Sequence, residues 1–267
     1  MARGRFFCIG THHKTGTVWM RRTLVKFAEQ EEIPIIRMTK PNTLRELPEN
    51  GPALVVNWNS LFPFPMFLQP EARFLHMIRD PRDVLLSGAR YHLRAPLGNE
   101  KWLAMPRAAL GGKSYQEHMN ALPDRLDQLR FEMHGKHAES LAEMLAWPYG
   151  HPSVTDVRYE EMIGDTDCAL FRAAVTEMNV EGFDIDRLVQ NYWTHSLFGG
   201  IADYENRKEN VKQHVKSAAV SQWKDHLPRE IAVEYEATFG PALRQLGYAT
   251  DAAWVDECPP AAEIAAA

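Results

Sequence analysis

The stretch Phe6-Phe7-Cys8-Ile9-Gly10-Thr11-His12-His13-Lys14-Thr15-Gly16-Thr17-Val18-Trp19-Met20 governs the reading of the whole chain. Aromatic and β-branched residues run into a short polar loop that holds one lysine and one glycine. An amphipathic segment then opens at Trp19, with Met20, Leu24, Phe27 and Ala28 on one face. This order predicts a strand, a tight loop and a helix. Such a loop aims backbone N–H groups and the positive helix end at its occupant, which favours a phosphate or similar anion. Lys14 adds a mobile charge, and Thr15 and Thr17 add hydroxyl donors. The competing reading is an ordinary βα turn with a surface lysine. The loop is not a Walker A sequence, because that motif sets lysine directly after its last glycine. Here Lys14 precedes Gly16 by two residues.

Outward from this stretch, Ile33-Pro34-Ile35-Ile36 reads as a short second strand. Ala53–Asn57, Arg73–Ile78 and Ser153–Arg158 read as further strands. Helices are expected at 114–146, 167–178 and 184–195, and a last one from Pro228 to Tyr248, broken near Gly240-Pro241. Strands alternating with helices argue for a mostly parallel sheet that binds ligands beyond the carboxyl ends of its strands. Lys14 and Arg79 both fall at such ends. Leu93–Lys113, with Pro96, Gly98, Pro106, Gly111 and Gly112, reads as a loop and an acceptor-side lid.

The 267 residues are 45% hydrophobic and 24% charged, ordinary values for a globular α/β domain. No apolar run approaches the roughly 18 residues of a membrane span. Cys8, Cys168 and Cys258 are scattered, with no disulfide framework and no metal-ligand spacing, so a cytoplasmic setting is expected. Residues 1–113 carry 17 Lys/Arg against 9 Asp/Glu, a net of +8; residues 114–267 carry 13 against 26, a net of −13. A small polyanion suits the positive half better than nucleic acid does, since the basic residues are interspersed and the acidic half repels a polyanion.

A second motif, Arg79-Asp80-Pro81-Arg82-Asp83-Val84-Leu85-Leu86-Ser87, follows the fourth strand. Asp80 suits an N-cap, Pro81 the first helical position and Asp83 the first turn, so part of it is a well-made helix start. That accounts for neither Arg79 nor Ser87. Together with Lys14-Thr15-Gly16-Thr17, the motif resembles the sulfotransferases that use 3′-phosphoadenosine 5′-phosphosulfate (PAPS) and release 3′,5′-adenosine bisphosphate (PAP). The resemblance spans Phe6 to about Gly247. It implies a three-layer α/β fold: a central, mostly parallel sheet flanked by helices, like that of the P-loop NTPases. One domain over 1–258 and a frayed tail over 259–267 are expected.

The resemblance implies roles for particular residues. Lys14 neutralises the leaving bridging oxygen, while Thr15, Gly16 and Thr17 hold the 5′-phosphate. Val18 stands where relatives often have a second threonine. Trp19 stacks on the adenine, or else is a core aromatic. Arg79 and Ser87 hold the 3′-phosphate. Arg158-Tyr159-Glu160-Glu161 resembles a family segment whose tyrosine contacts the adenine end, and Tyr159 equally suits a core. Near Trp223-Lys224 the family has Arg-Lys-Gly; this chain has Lys216-Ser217-Ala218, with Lys212 and His214 as further contacts. No metal is required.

The base is where the chain departs from its relatives. Many members carry Lys-Thr-His after the third strand, and the histidine deprotonates the acceptor. Here Asn57-Trp58-Asn59 stands in that place. His13 is the favoured substitute, because imidazole titrates in the neutral range. Glu31 or Glu32 would act like the glutamate of the heparan-type members, and His12 would point back into the fold. His76 reads as a core histidine. Trp58, Phe62, Phe64 and Phe67 suggest an apolar pocket wall, so the expected acceptor is a small alcohol, phenol, lipid-like molecule or amine. The partner classes are that small molecule, no nucleic acid and no membrane span, with a homodimer admitted. The alternatives are a non-catalytic PAPS- or PAP-binding protein and a P-loop nucleotide kinase.

Overall fold

The computed structural model describes residues 4–96, 100–196 and 220–266. Its elements are β1 (Phe6–Gly10), α1 (Thr17–Glu31), β2 (Ile35–Arg37), β3 (Ala53–Asn57), α2 (Phe64–Phe67), β4 (Ala72–Ile78), α3 (Pro81–Arg94), α4 (Lys101–Ala104), α5 (Tyr115–Asn120), α6 (Arg125–Glu132) and α7 (Ala138–Leu145). There follow β5 (Val154–Arg158), α8 (Tyr159–Gly164), α9 (Ala169–Glu177), α10 (Ile185–His195), α11 (Trp223–His226), α12 (Arg229–Gln245) and α13 (Ala261–Ala266). The described residues form two compact units, 4–79 with 146–196, and 80–96 with 100–145 and 220–266.

The first unit holds the sheet, in the order β2-β3-β1-β4-β5, with every neighbouring pair parallel. β1, β3 and β4 are buried along their whole length, which is why they read as unbroken apolar runs. Alternation sorts their side chains between two cores. Phe7, Ile9, Leu54, Val56, Leu75, Met77 and Val157 meet Met20, Leu24 and Phe27 of α1 and Phe171 and Tyr192 of α9 and α10. Phe6, Cys8, Ala53, Val55 and Phe74 meet Phe62, Phe67 and Trp147 on the other face. The chain fills the β2 and β3 side of β1 first and the β4 and β5 side afterwards. The topological switch point therefore lies between the carboxyl ends of β1 and β4, where open α/β sheets bind ligands.

The second unit is helical, with Leu85, Leu86, Leu129, Met133, Trp223, Tyr235 and Leu243 in its core. Here the middle of the second motif has a structural use. Asp80 caps α3, accepting from the Arg82 N–H at 2.9 Å. The Arg82 guanidinium donates twice to Asp80 at 2.9 and 2.7 Å and once to the Tyr248 carbonyl at 2.8 Å. Its centre lies 3.8 Å over the Trp223 ring, and Asp83 Oδ1 accepts from the Trp223 N–H at 3.0 Å. Asp80, Arg82 and Asp83 thus anchor Trp223.

Two elements differ from the sequence reading. The last helix runs unbroken through Pro241. The Glu236 side chain folds over Gly240 and accepts from Arg244 Nη1 at 2.7 Å and Trp254 Nε1 at 2.9 Å, splinting the helix where proline removes a hydrogen bond. Residues 100–113, read as loop, include the short helix α4, where Leu103 is fully buried, and Arg107 lies over the rings of Trp102 and Tyr115. Among the described residues no helix is long and apolar enough to cross a membrane.

Candidate active site

The loop after β1 turns through two left-handed residues, Lys14 at φ 64° and Gly16 at φ 99°. A lysine in that region costs on the order of 1 kcal/mol, a strain typical of ligand-binding loops. At Gly16 even a methyl group would lie 2.9 Å from Met77 Sδ and 3.3 Å from the Tyr159 ring, so both φ and space require glycine. Gly16 stands at the N-terminus of α1, which has no side-chain cap and no acid in its first turn. Its positive end thus meets no carboxylate of its own first turn.

Arg79 directly follows β4 beside this loop. It is only 2% exposed, donates to the Lys14 carbonyl at 3.2 Å, and holds its guanidinium 4.5 Å over the Tyr159 ring. Lys14, Gly16, Arg79 and Tyr159 therefore meet at the carboxyl ends of β1, β4 and β5. A loop with a free helix end beside a buried guanidinium is suited to a phosphate-like dianion.

The threonines do something other than the sequence suggests. Thr15 Oγ1, fully buried, accepts from the His12 N–H at 2.8 Å and donates to the His12 carbonyl at 3.0 Å. Thr17 Oγ1 donates to the same carbonyl at 2.8 Å and lies 2.8 Å from Thr11 Oγ1. Both hydroxyls brace the loop from within. Trp19 is 8% exposed, stacks on Tyr192 with centroids 4.3 Å apart, and donates its indole N–H to the Tyr192 carbonyl at 3.0 Å. These are core contacts. Val18 is exposed in the first turn and brings no side-chain donor.

His13 is half-buried on the loop next to Lys14. The carboxylate substitutes stand far from the loop: at 1.5 Å per residue, Glu31 lies about 21 Å from Thr17 along α1. Glu31 is also paired with Arg187 at 2.7 Å, and Glu32 caps the far end. At the end of β3, Asn57 Nδ2 donates to the Met38 carbonyl at 2.7 Å and its Oδ1 accepts from the Asn59 N–H at 3.1 Å, so this asparagine shapes a turn. The apolar wall also needs correction. Phe62 and Phe67 belong to the sheet core, 5.2 and 4.5 Å from the Phe74 ring; Trp58 is half-buried against the α1-side core, and only Phe64 is open to solvent.

His12 does point into the fold, and there it joins a set of partners that the sequence reading missed. His12 Nε2 and His76 Nε2 are 2.8 Å apart, and His76 Nδ1 is 2.8 Å from Asp156 Oδ1. The parallel register that sets His76 beside Gly10 on one side and Asp156 on the other makes this possible. Trp147 stacks on His76 at 4.0 Å and donates to the same Asp156 oxygen at 3.0 Å. A histidine within an apolar strand was a visible signal; its partners come from distant sequence.

Burial pushes the His76 imidazole down to about 4, with the Asp156 bond opposing the shift and nearby His12 adding to it. An unfolded histidine titrates near 6.5, so between about 6.5 and 4 the unfolded chain binds the extra proton. Stability should be complete above the upper value and fall by about 3 kcal/mol as pH drops through this window. His137, lowered to about 3 by burial, contributes with the same sign in the second unit. Denaturant titrations at pH 7 and pH 4.5 on wild type and His76→Phe isolate the His76 share. An identical pH slope in both would contradict it.

Ser87 is a buried residue of α3 in the second unit. Lys212, His214, Lys216, Ser217 and Ala218 lie outside the described residues.

The parallel sheet and the strained, lysine-bearing loop at a helix start define an α/β protein of P-loop-like type. The chain belongs to the sulfotransferase domain family, which it matches over residues 6–247. It is similar to the crystal structure of mouse sulfotransferase SULT7A1 complexed with PAP, at 13% identity and TM-score 0.56, covering 96% of this chain and 89% of that one. It is also similar to retinol dehydratase in complex with androsterone and inactive cofactor PAP, at 12% identity and TM-score 0.52, covering 91% and 82%. These identities establish likeness of fold. A comparison with curated proteins finds no match.

Proposed function

We propose that this sulfotransferase moves the sulfuryl group of PAPS to a hydroxyl or amine of a small-molecule acceptor, with PAP as the second product. The observation that carries this reading is the meeting of Lys14, Gly16, Arg79 and Tyr159 at the switch point of the sheet. PAPS supplies an activated sulfuryl group whose bond to the 5′-phosphate breaks as the acceptor's oxygen or nitrogen bonds to sulfur. The protein's part is positioning and charge stabilisation. The α1 N-terminus, with backbone N–H groups of Gly16, Thr17 and Val18, holds the 5′-phosphate, and Thr15 and Thr17 brace that arrangement. Lys14 neutralises charge on the departing phosphate. Arg79, Ser87 and the Lys216-Ser217-Ala218 segment hold the 3′-phosphate, while Tyr159 borders the adenine. His13 takes the acceptor's proton.

The two similar structures are PAP complexes, one of them also holding androsterone, which supports PAP as the nucleotide and an apolar alcohol among the acceptors. Three free cysteines accord with a cytoplasmic setting. Arg79→Ala and Ser87→Ala should weaken PAPS binding much more than binding of adenosine 5′-phosphosulfate, which lacks the 3′-phosphate. Equal losses for both ligands, read by competition against PAP, would remove the assignment. A second reading is a protein that binds PAPS or PAP without turnover. It is favoured by Asn57-Trp58-Asn59, where Asn57 is tied to a main-chain carbonyl and no histidine is available.

A further inference from the structure

The reading above leaves the buried histidine pair without a task, yet one end of it lies on the loop that carries Lys14. His12 is the residue about which that loop is built. Its carbonyl accepts from the Thr15 N–H at 3.2 Å, Thr15 Oγ1 at 3.0 Å and Thr17 Oγ1 at 2.8 Å. Its own N–H donates to Thr15 Oγ1 at 2.8 Å. Its imidazole runs the other way, to His76 of β4 and through it to Asp156 of β5. We propose that Asp156, His76 and His12 are positioning residues for sulfuryl transfer: the chain clamps the 11–17 loop to two strands, so that Lys14 and the α1 N-terminus meet the anion in one fixed geometry. The proposal rests on the sulfotransferase reading of that loop.

The proton order makes the clamp directional. A carboxylate only accepts, so His76 carries its proton on Nδ1 and presents a bare Nε2. His12 must then carry its proton on Nε2 and donate across the 2.8 Å gap. A second proton on His76 would set two N–H groups against each other and release His12. The groups facing His76 are His12 from the loop, Asp156 from β5, and Tyr149 with its ring 5.7 Å away; Trp147 covers one face of the imidazole. Burial holds His76 neutral at physiological pH, so the clamp is closed there. Packing alone would not give this direction: the two rings meet edge to face at 5.1 Å and 84°, an arrangement that two phenylalanines also adopt. The nitrogens add the orientation of the His12 ring, and with it the orientation of the main-chain atoms that the threonines hold.

The test compares the full-length wild type, His76→Phe and the double variant His12→Phe/His76→Phe. Melting temperature and PAP affinity, by titration calorimetry, are measured between pH 5 and 8. His76→Phe keeps a ring against Trp147 but strands the His12 donor, so stability and affinity should both fall. The double variant removes both partners and should recover most of the melting temperature. It should still bind PAP about tenfold more weakly than wild type, the equivalent of one directional buried hydrogen bond. The loss of wild-type affinity toward pH 5 should also exceed that of the double variant, because the titration of PAP itself is common to both. A double variant with wild-type affinity and wild-type pH dependence overturns the proposal. A wild type that binds no PAP overturns the sulfotransferase reading instead.

If neither variant folds, nitrogen NMR of histidine-labelled wild type decides. His76 should be protonated on Nδ1 and His12 on Nε2, and both signals should shift as PAP saturates the protein, although both rings are fully buried. Signals unmoved by PAP while the Gly16 amide shifts would overturn the clamp.

Discussion

Replacing Lys14 by alanine should slow sulfuryl transfer on the order of 10²–10³-fold, the usual cost of removing one preorganised charge-stabilising donor. PAP affinity should fall much less, because backbone N–H groups and Arg79 remain. The fold should tolerate the change, since alanine keeps the Cβ that the backbone already accommodates at φ 64°. Lys14→Gly provides the control. It relieves the left-handed strain and should be as stable as wild type or more so, yet equally slow. If either variant turned over within a few-fold of wild type, Lys14 would be holding a turn together and taking no part in the chemistry.

His13→Ala should lower turnover by roughly 10²–10⁴-fold, the range for loss of a general base. PAPS affinity should hardly change. The acidic limb of the pH–rate profile should disappear, because that limb reports protonation of the imidazole. Acceptors that ionise readily should be rescued preferentially. Glu32→Gln, at the far end of α1, should leave turnover unchanged. A mild effect of His13→Ala on every acceptor would mean that the nucleophile arrives already deprotonated.

The sheet was legible because its central strands are buried on both faces, so β1, β3 and β4 stand out as apolar runs. The loop was legible because lysine and glycine interrupt such a run just before an amphipathic helix. The direction in which side chains point was not. Thr15 and Thr17 are equally good donors to an anion and to a carbonyl, and only the left-handed turn at Lys14 brings the His12 carbonyl within their reach. Phe62 and Phe67 follow a strand as a pocket wall would, but the rings of Phe74 and Trp147 on the sheet face draw them into the core. The His12–His76–Asp156 chain needs the register of three strands, and no local pattern encodes a register across 80 residues. Pro241 misled because a breaker was read without the Glu236 splint that spans it.

The central claim is sulfuryl transfer from PAPS, and the most direct measurement follows a radiolabelled sulfuryl group. Wild type and Lys14→Ala would be incubated with labelled PAPS and a panel of small alcohols, phenols, lipid-like alcohols and amines, with PAP release measured in parallel. The expected result is label on at least one acceptor class, PAP formed in equal amount, and both nearly abolished in Lys14→Ala. Saturable PAP binding with no labelled product from any acceptor would contradict the claim and leave a binding protein in its place.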